Sequence, residues 1–146
     1  MNNKKIIPIG CDHAGYDLKI KVIDFLKSQG YQVKDYGCHS IDSIDYPDYA
    51  HPVANFIEEH EDSLGVLICG SGNGINMTAN KHQGVRSALC WTVELAELSR
   101  KHNNANILAL PARFISTDKG LDMVKAFFST DFEGGRHEAR VSKISC

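Results

Sequence analysis

The stretch 64-LGVLICGSGNGI-75 decides the reading of this chain. Its first half, 64–69, is apolar almost throughout and lacks the alternation of a strand with one wet face. It reads as a strand covered on both sides, the mark of a parallel sheet. Its second half places Gly70, Gly72 and Gly74 on alternate positions, with Cys69 at the joint. The run "INMTANKH" (75–82) then starts a helix. Strand, glycine turn and helix in that order predict one unit of an α/β fold.

The same alternation extends in both directions. "KIIPIG" (5–10) reads as a first strand, although Pro8 argues against a central place in a sheet. Residues 16–30 carry Leu18, Val22, Phe25 and Leu26 at helical spacing and stop at Gly30. A second strand follows over 31–37, then a helix over 46–60 with Val53, Phe56 and Ile57 on one face. Beyond the glycine loop come a strand over 85–91, a helix over 92–104 with Thr92 as N-cap, and a strand over 105–110. A last helix over 116–132 is capped by Ser116 or Thr117. The remainder, "EGGRHEARVSKISC", reads as a polar tail. Five strand–helix repeats predict a three-layer α/β/α sandwich around a five-stranded parallel sheet. Right-handed crossovers then bring every strand-to-helix loop to one edge, where such sheets bind ligands. That edge collects Cys11, Asp12, His13 and Gly15, then Cys69 with its glycine loop, then Pro111 and Arg113.

Length and composition narrow the class. A chain of 146 residues predicts a single domain, 1–146. A net charge of −2 points to neither a nucleic-acid nor a membrane surface, and no apolar run approaches a membrane span. The opening "MNNKKIIPIG" is too briefly apolar for a signal peptide. Cys11, Cys38, Cys69, Cys90 and Cys146 are odd in number and contain no C-x-x-C pair. That excludes a disulfide framework or structural zinc site and points to a reducing cytoplasm.

The glycine loop fits no standard nucleotide or nucleophile motif. A dinucleotide loop needs G-x-G-x-x-G and a downstream ribose acid, but position 75 is Ile and the next strand ends on Cys90-Trp91. The Gly-Lys-Ser/Thr of a P-loop is absent, and Cys69 stands where a G-x-S-x-G elbow around Ser71 needs glycine. A phosphatase-type loop would carry arginine six residues after Cys69, at Ile75. Two readings remain level: a backbone anion cradle that lowers the pKa of Cys69, or a tight turn beside a buried, inert thiol. Asp12-His13 can act on a sugar or phosphate, or Asp12 can simply cap the next helix. His102 and Asn103 follow Arg100 and Lys101, charges that suit a helix C-terminus without any function. Arg136 and Arg140, four apart around His137, can fork a phosphate if the tail folds back. His39, His51, His60 and His82 have no ligand spacing. Trp91 and Phe127-Phe128 read as core.

Six separated segments, "GCDHAGYDLK", "DYPDYAHPVA", "ICGSGNGINMTANK", "GVRSALC", "LSRKHNNANILAL" and "FEGGRHEARV", resemble the type B ribose-5-phosphate isomerases and their sugar-phosphate isomerase relatives. The likeness covers residues 6 to 144. It implies a Rossmann-like sandwich and a homodimer, in some members paired into a tetramer, with the active site at the subunit interface. It also implies interconversion of ribose 5-phosphate and ribulose 5-phosphate with no metal or organic cofactor. By motif, Cys69 is the base between C1 and C2, and this chain resembles the cysteine branch because positions 70–74 hold no acid. Gly70, Gly72, Asn73 and Gly74 would line the enediolate site, with Ser71 adding a hydroxyl. Asp12 would handle protons at the sugar oxygens, His102 would open the ring, and Asn103 and Tyr46 would hold the sugar. His13, Arg113, Arg136 and Arg140 would grip the phosphate. The alternatives are an allose-6-phosphate or galactose-6-phosphate isomerase, or a phosphate-binding module without catalysis. The galactose-6-phosphate relatives divide these residues between two different chains, whereas one chain here retains the set.

Overall fold

The structure, a computed structural model, describes residues 5–146. The first four residues, part of the reading against a signal peptide, lie outside the described range. Strands β1 (Ile6–Cys11), β2 (Gln32–Asp35), β3 (Gly65–Cys69), β4 (Ser87–Leu89) and β5 (Ile107–Pro111) form one all-parallel sheet. The order is β2-β1-β3-β5-β4. Helices α1 (Tyr16–Ser28), α2 (Pro47–Glu59), α3 (Asn73–Ala79), α4 (Val93–Asn103), α5 (Thr117–Phe128) and α6 (Arg136–Ser142) complete the chain.

Every residue of β3 and β5 is buried, as their apolar sequences require. Successive side chains of β3 leave on opposite faces. Val66 and Ile68 pack with α1, α4 and α5, while Leu67 and Cys69 pack under α2 and α3. Gly10 permits the second layer to sit close, since a Cβ there would lie 2.5 Å from the Tyr49 carbonyl oxygen. The result is the expected sandwich.

Several details depart from the sequence reading. Pro8 does occupy an inner strand. The alternating bonds of β1 turn Cys11 N–H and the Ile9 carbonyl toward β2, so the Pro8 nitrogen faces β3. The β1–β3 ladder begins only at Ile9, and no donor is missed. β4 is an edge strand of three residues rather than seven. Trp91, just beyond it, is 52% exposed and not core, because the edge has no further strand to cover it. The C-terminal tail is not irregular: α6 forms after Gly134 and Gly135, both at positive φ, and packs on α4. The caps follow the reading, with Thr92 and Ser116 accepting from Leu95 N–H and Lys119 N–H, and Gly30 leaving α1 at φ +92°.

Candidate active site

β1 and β3 are neighbours although β2 separates them in sequence, so the chain reverses direction across the sheet there. Loops leaving such a pair diverge and open a crevice at their carboxyl ends. Asp12 and Cys69 flank this crevice. Asp12 is 8% exposed. Its N–H donates to the Ile68 carbonyl and its Oδ1 accepts from Gly15 N–H at 3.1 Å, capping the 3-10 turn His13–Gly15. The bland reading of Asp12 as a cap is therefore correct, and one carboxylate oxygen remains outside that bond.

Cys69 ends β3 with its side chain 4% exposed. Gly72, at φ +79°, turns the chain so that the N–H groups of Ile75, Gly72 and Ser71 face the sulfur. All three lower the thiol pKa, as the loop's sequence suggests. The net direction is nevertheless up. Desolvation by burial is the largest influence, and the Asp12 carboxylate adds to it. The expectation of a lowered pKa is corrected on this point: the cradle is present, but burial outweighs it.

The other loop residues assemble around this pair. The Tyr46 ring lies on Gly74, where an added Cβ would meet its Cζ at 2.4 Å. Arg113 donates its N–H to the Gly70 carbonyl, and its Nη1 lies 3.3 Å from where a Gly70 Cβ would stand. Ser71 and Asn73 are exposed, linked by Asn73 N–H donating to Ser71 Oγ at 3.3 Å. They border a cleft of about 390 Å³ with Leu89, Trp91, Pro111, Phe114 and Lys119. His13 Nδ1 accepts from Ile44 N–H at 3.4 Å, tying the segment before Tyr46 to β1. A residue missed in the sequence completes that tie. Lys19, 1% exposed, donates to Asp35 Oδ1 at 2.7 Å and to the Cys38 carbonyl at 2.6 Å.

Four expected site residues are elsewhere. α4 leaves β4 at the crevice edge and runs back over eleven residues, about 16 Å. His102 and Asn103 therefore lie at the opposite edge of the sheet. The tail folds back onto α4 and not onto the glycine loop, so Arg136 and Arg140 lie there too. His102 stacks on His137 with ring centroids 4.3 Å apart, and Glu133 approaches both. His137 and Glu133 were not among the expected site residues, and only the fold of α6 brings them to His102. Burial, with His102 and Arg136, lowers the His137 pKa. Arg100 is structural, donating to the Thr130, Ala105 and Asn104 oxygens that close the end of α4. A concavity of about 730 Å³ is also at this edge, and none of the expected site residues lines it.

These features define a parallel α/β protein whose glycine loop cradles a buried thiol beside a carboxylate. The family model described as ribose/galactose isomerase matches residues 7–144. The chain belongs to that family. It is 40% identical to ribose-5-phosphate isomerase B of Escherichia coli over 97% of this chain and 95% of that protein. The crystal structure of a ribose 5-phosphate isomerase from Thermotoga maritima superposes with a TM-score of 0.94 at 46% identity, covering 99% of each chain. That of ribose-5-phosphate isomerase B from Mycoplasma genitalium with bound ribulose-5-phosphate does so with a TM-score of 0.95 at 41% identity, covering 98% of this chain and 95% of that one.

Proposed function

We propose that this protein is an aldose–ketose isomerase that interconverts ribose 5-phosphate and ribulose 5-phosphate by proton transfer through an enediolate. The observation that carries the reading is Cys69 at the end of β3, beneath three loop N–H groups and beside Asp12. A proton alpha to a carbonyl needs a base and a fixed anion site, and one loop here supplies both. Cys69 takes the proton from one carbon and returns it to its neighbour. The N–H groups around Gly70, Gly72, Asn73 and Gly74, with the Ser71 hydroxyl, hold the enediolate oxygens. Asp12 moves protons between the sugar oxygens, and Tyr46 packs against the sugar. His13 and Arg113 hold one side of the phosphate. No step requires a metal or organic cofactor.

His102, Asn103, Arg136 and Arg140 serve the same substrate from a second copy of the chain. Within one chain the sheet stands between them and Cys69. A homodimer that sets one copy's α4–α6 end against the other's glycine loop completes two equivalent sites. His102 then opens the furanose ring, Asn103 orients it, and the two arginines close on the phosphate. Binding energy from that remote group fixes the reacting carbons in place. We place the activity in one domain, 1–146, within the non-oxidative pentose phosphate pathway. Five free thiols suit a reducing cytoplasm, and among the described residues no helix is long and apolar enough to cross a membrane.

The test is proton NMR of ribose 5-phosphate in D2O with wild type beside Cys69→Ala. Ribulose 5-phosphate with deuterium at C1, and recovered ribose 5-phosphate with deuterium at C2, in wild type alone, is the expected result. Equal exchange by the variant removes the thiol from the mechanism.

A further inference from the structure

We propose that Lys19 is a positioning residue of this enzyme: through the Cys38 carbonyl it aims the segment 38–46, and with it Tyr46 and His13, at the substrate. The inference rests on the binding roles given to Tyr46 and His13 above.

Residues 36–46 join β2 to α2 with no helix or strand of their own. The backbone of β1 holds the start of this connection. Tyr36 N–H donates to the Ile9 carbonyl at 2.9 Å, Cys11 N–H to the Gly37 carbonyl at 2.7 Å, and Cys38 N–H to the Cys11 carbonyl at 3.0 Å. Those bonds stop at the Cys38 N–H. The next peptide sets the direction of the chain beyond it, and its carbonyl accepts from Lys19 Nζ at 2.6 Å. Ser40 and Asp42 then bond to each other, within the segment. The chain is tied again at Ile44, whose N–H donates to His13 Nδ1 at 3.4 Å, and it ends on Tyr46 with its ring on Gly74.

Lys19 is well placed to aim this segment. It sits in the first turn of α1 and is 1% exposed. A buried ammonium needs partners for its N–H groups, and three directions are filled here. They are the Cys38 carbonyl, Asp35 Oδ1 at 2.7 Å, and the Tyr16 ring with its centroid 5.6 Å away. Asp35 Oδ1 is itself fixed by Gly37 N–H at 2.9 Å. The head group therefore has one place, set jointly by α1 and the end of β2. An apolar side chain of similar length would fill the space but could not orient a carbonyl. The consequence reaches two substrate contacts. Tyr46 closes the segment, and the Ile44 N–H on His13 Nδ1 leaves the ring proton on Nε2, the form that donates to a phosphate. Cys69 and Asp12 belong to β3 and the end of β1, so they keep their places when the segment shifts. Lys19 thus serves substrate binding rather than the proton-transfer step.

The experiment compares full-length wild type with Asp35→Asn, Lys19→Met and the double variant Lys19→Met/Asp35→Asn. Each is assayed for kcat and KM well below its melting temperature, and each is followed by amide hydrogen exchange without substrate. Lys19→Met should raise KM about tenfold, the weight of one ordinary contact, with kcat within about twofold. Exchange over residues 39–46 should quicken about tenfold while β3 is unchanged. The double variant removes the carboxylate left without its cation. It should regain melting temperature while KM stays raised, a split that a merely structural role would not produce. Asp35→Asn keeps the bond to the Cys38 carbonyl and should leave KM near wild type. KM that recovers together with melting temperature, unchanged exchange over 39–46, or collapse of the fold in both Lys19 variants makes Lys19 structural and overturns the inference. Exchange is read without turnover, so an inactive wild type is seen as failure of the isomerase reading on its own.

Discussion

The two edges of the sheet are built from different materials. At the carboxyl edge the candidate chemistry is mostly backbone: a glycine loop, a buried thiol and a capping carboxylate, all within a few residues of strand ends. At the amino edge it is mostly side chains on helix ends, with His102 and Asn103 closing α4 and Arg136 and Arg140 on α6. In the proposed function the first edge holds an anion with backbone N–H groups fixed by the loop. The second holds charge and proton-transfer groups but no backbone cradle around a buried thiol. Five residues of β3 put about 17 Å between the two. In the proposed mechanism neither edge does the whole reaction, and within one chain the sheet keeps them apart.

The sharpest way to break this comparison is to remove one member from each edge. Cys69→Ala should lower kcat by about 10³-fold or more with the melting temperature little changed, because general-base catalysis contributes about 10² to 10⁴. His102→Asn should also disable turnover. Mixed and allowed to exchange subunits, the two dead variants should recover about one quarter of wild-type activity, since half the dimers would have one intact site. No recovery in the mixture, with exchange verified by mass spectrometry, would mean that the edges do not serve a shared site.

Altering the cradle itself should cost less. Gly74→Ala drives a methyl into the Tyr46 ring, and Gly72→Ala adds strain at φ +79° and a clash with Leu89 Cδ1 at 2.4 Å. Each should cost about 2 kcal/mol of stability in urea unfolding, and Gly74→Ala should also raise KM as Tyr46 is displaced. Unchanged stability and KM would show that the loop adapts freely. Removing the tie beneath it, by Lys19→Met, leaves the Cys38 carbonyl without that donor and Asp35 without its cation. A loss of about 2 kcal/mol is expected by the same measurement.

Acidity provides a finer test. The Cys69 pKa lies above its ordinary value, so the thiolate is the minor form at neutral pH. In wild type kcat/KM should rise about tenfold per pH unit between about pH 6 and 8, a slope that a flat profile would contradict. Cys90, buried and pushed up to about 11, sets a smaller effect on folding. Its folded pKa exceeds its unfolded value, so its contribution is complete below about pH 9 and is lost as pH rises toward 11. The melting temperature should fall across that window, and by less in Cys90→Ala than in wild type.

Much of the fold was legible because its signals are local. The unbroken apolar run of β3, the helical spacing around Val22 and Leu26, and the Thr92 and Ser116 caps depend on neighbours within a few residues. The carboxyl-edge site was legible for the same reason: Asp12, Cys69, the glycines and Arg113 all follow strands directly. α6 was not legible, since seven residues with two arginines and a glutamate carry no apolar stripe strong enough to announce a helix. Trp91 was misread because nothing in its neighbourhood says that β4 is the last strand of the sheet. The net pKa direction of Cys69 was misread because burial depends on α2 and α3 closing over the loop.

By itself, then, the sequence determined the parallel α/β layering, the edge on which the loops gather, and the motifs that carry the family likeness. Local backbone preference and the period of apolar residues are sufficient for these. Only the tertiary structure decided the strand order β2-β1-β3-β5-β4, which side chains meet, and which remain apart. Residues 102, 133 and 137 become neighbours, while 69 and 102 end on opposite edges, because strand pairing and helix docking set distances that spacing along the chain does not encode.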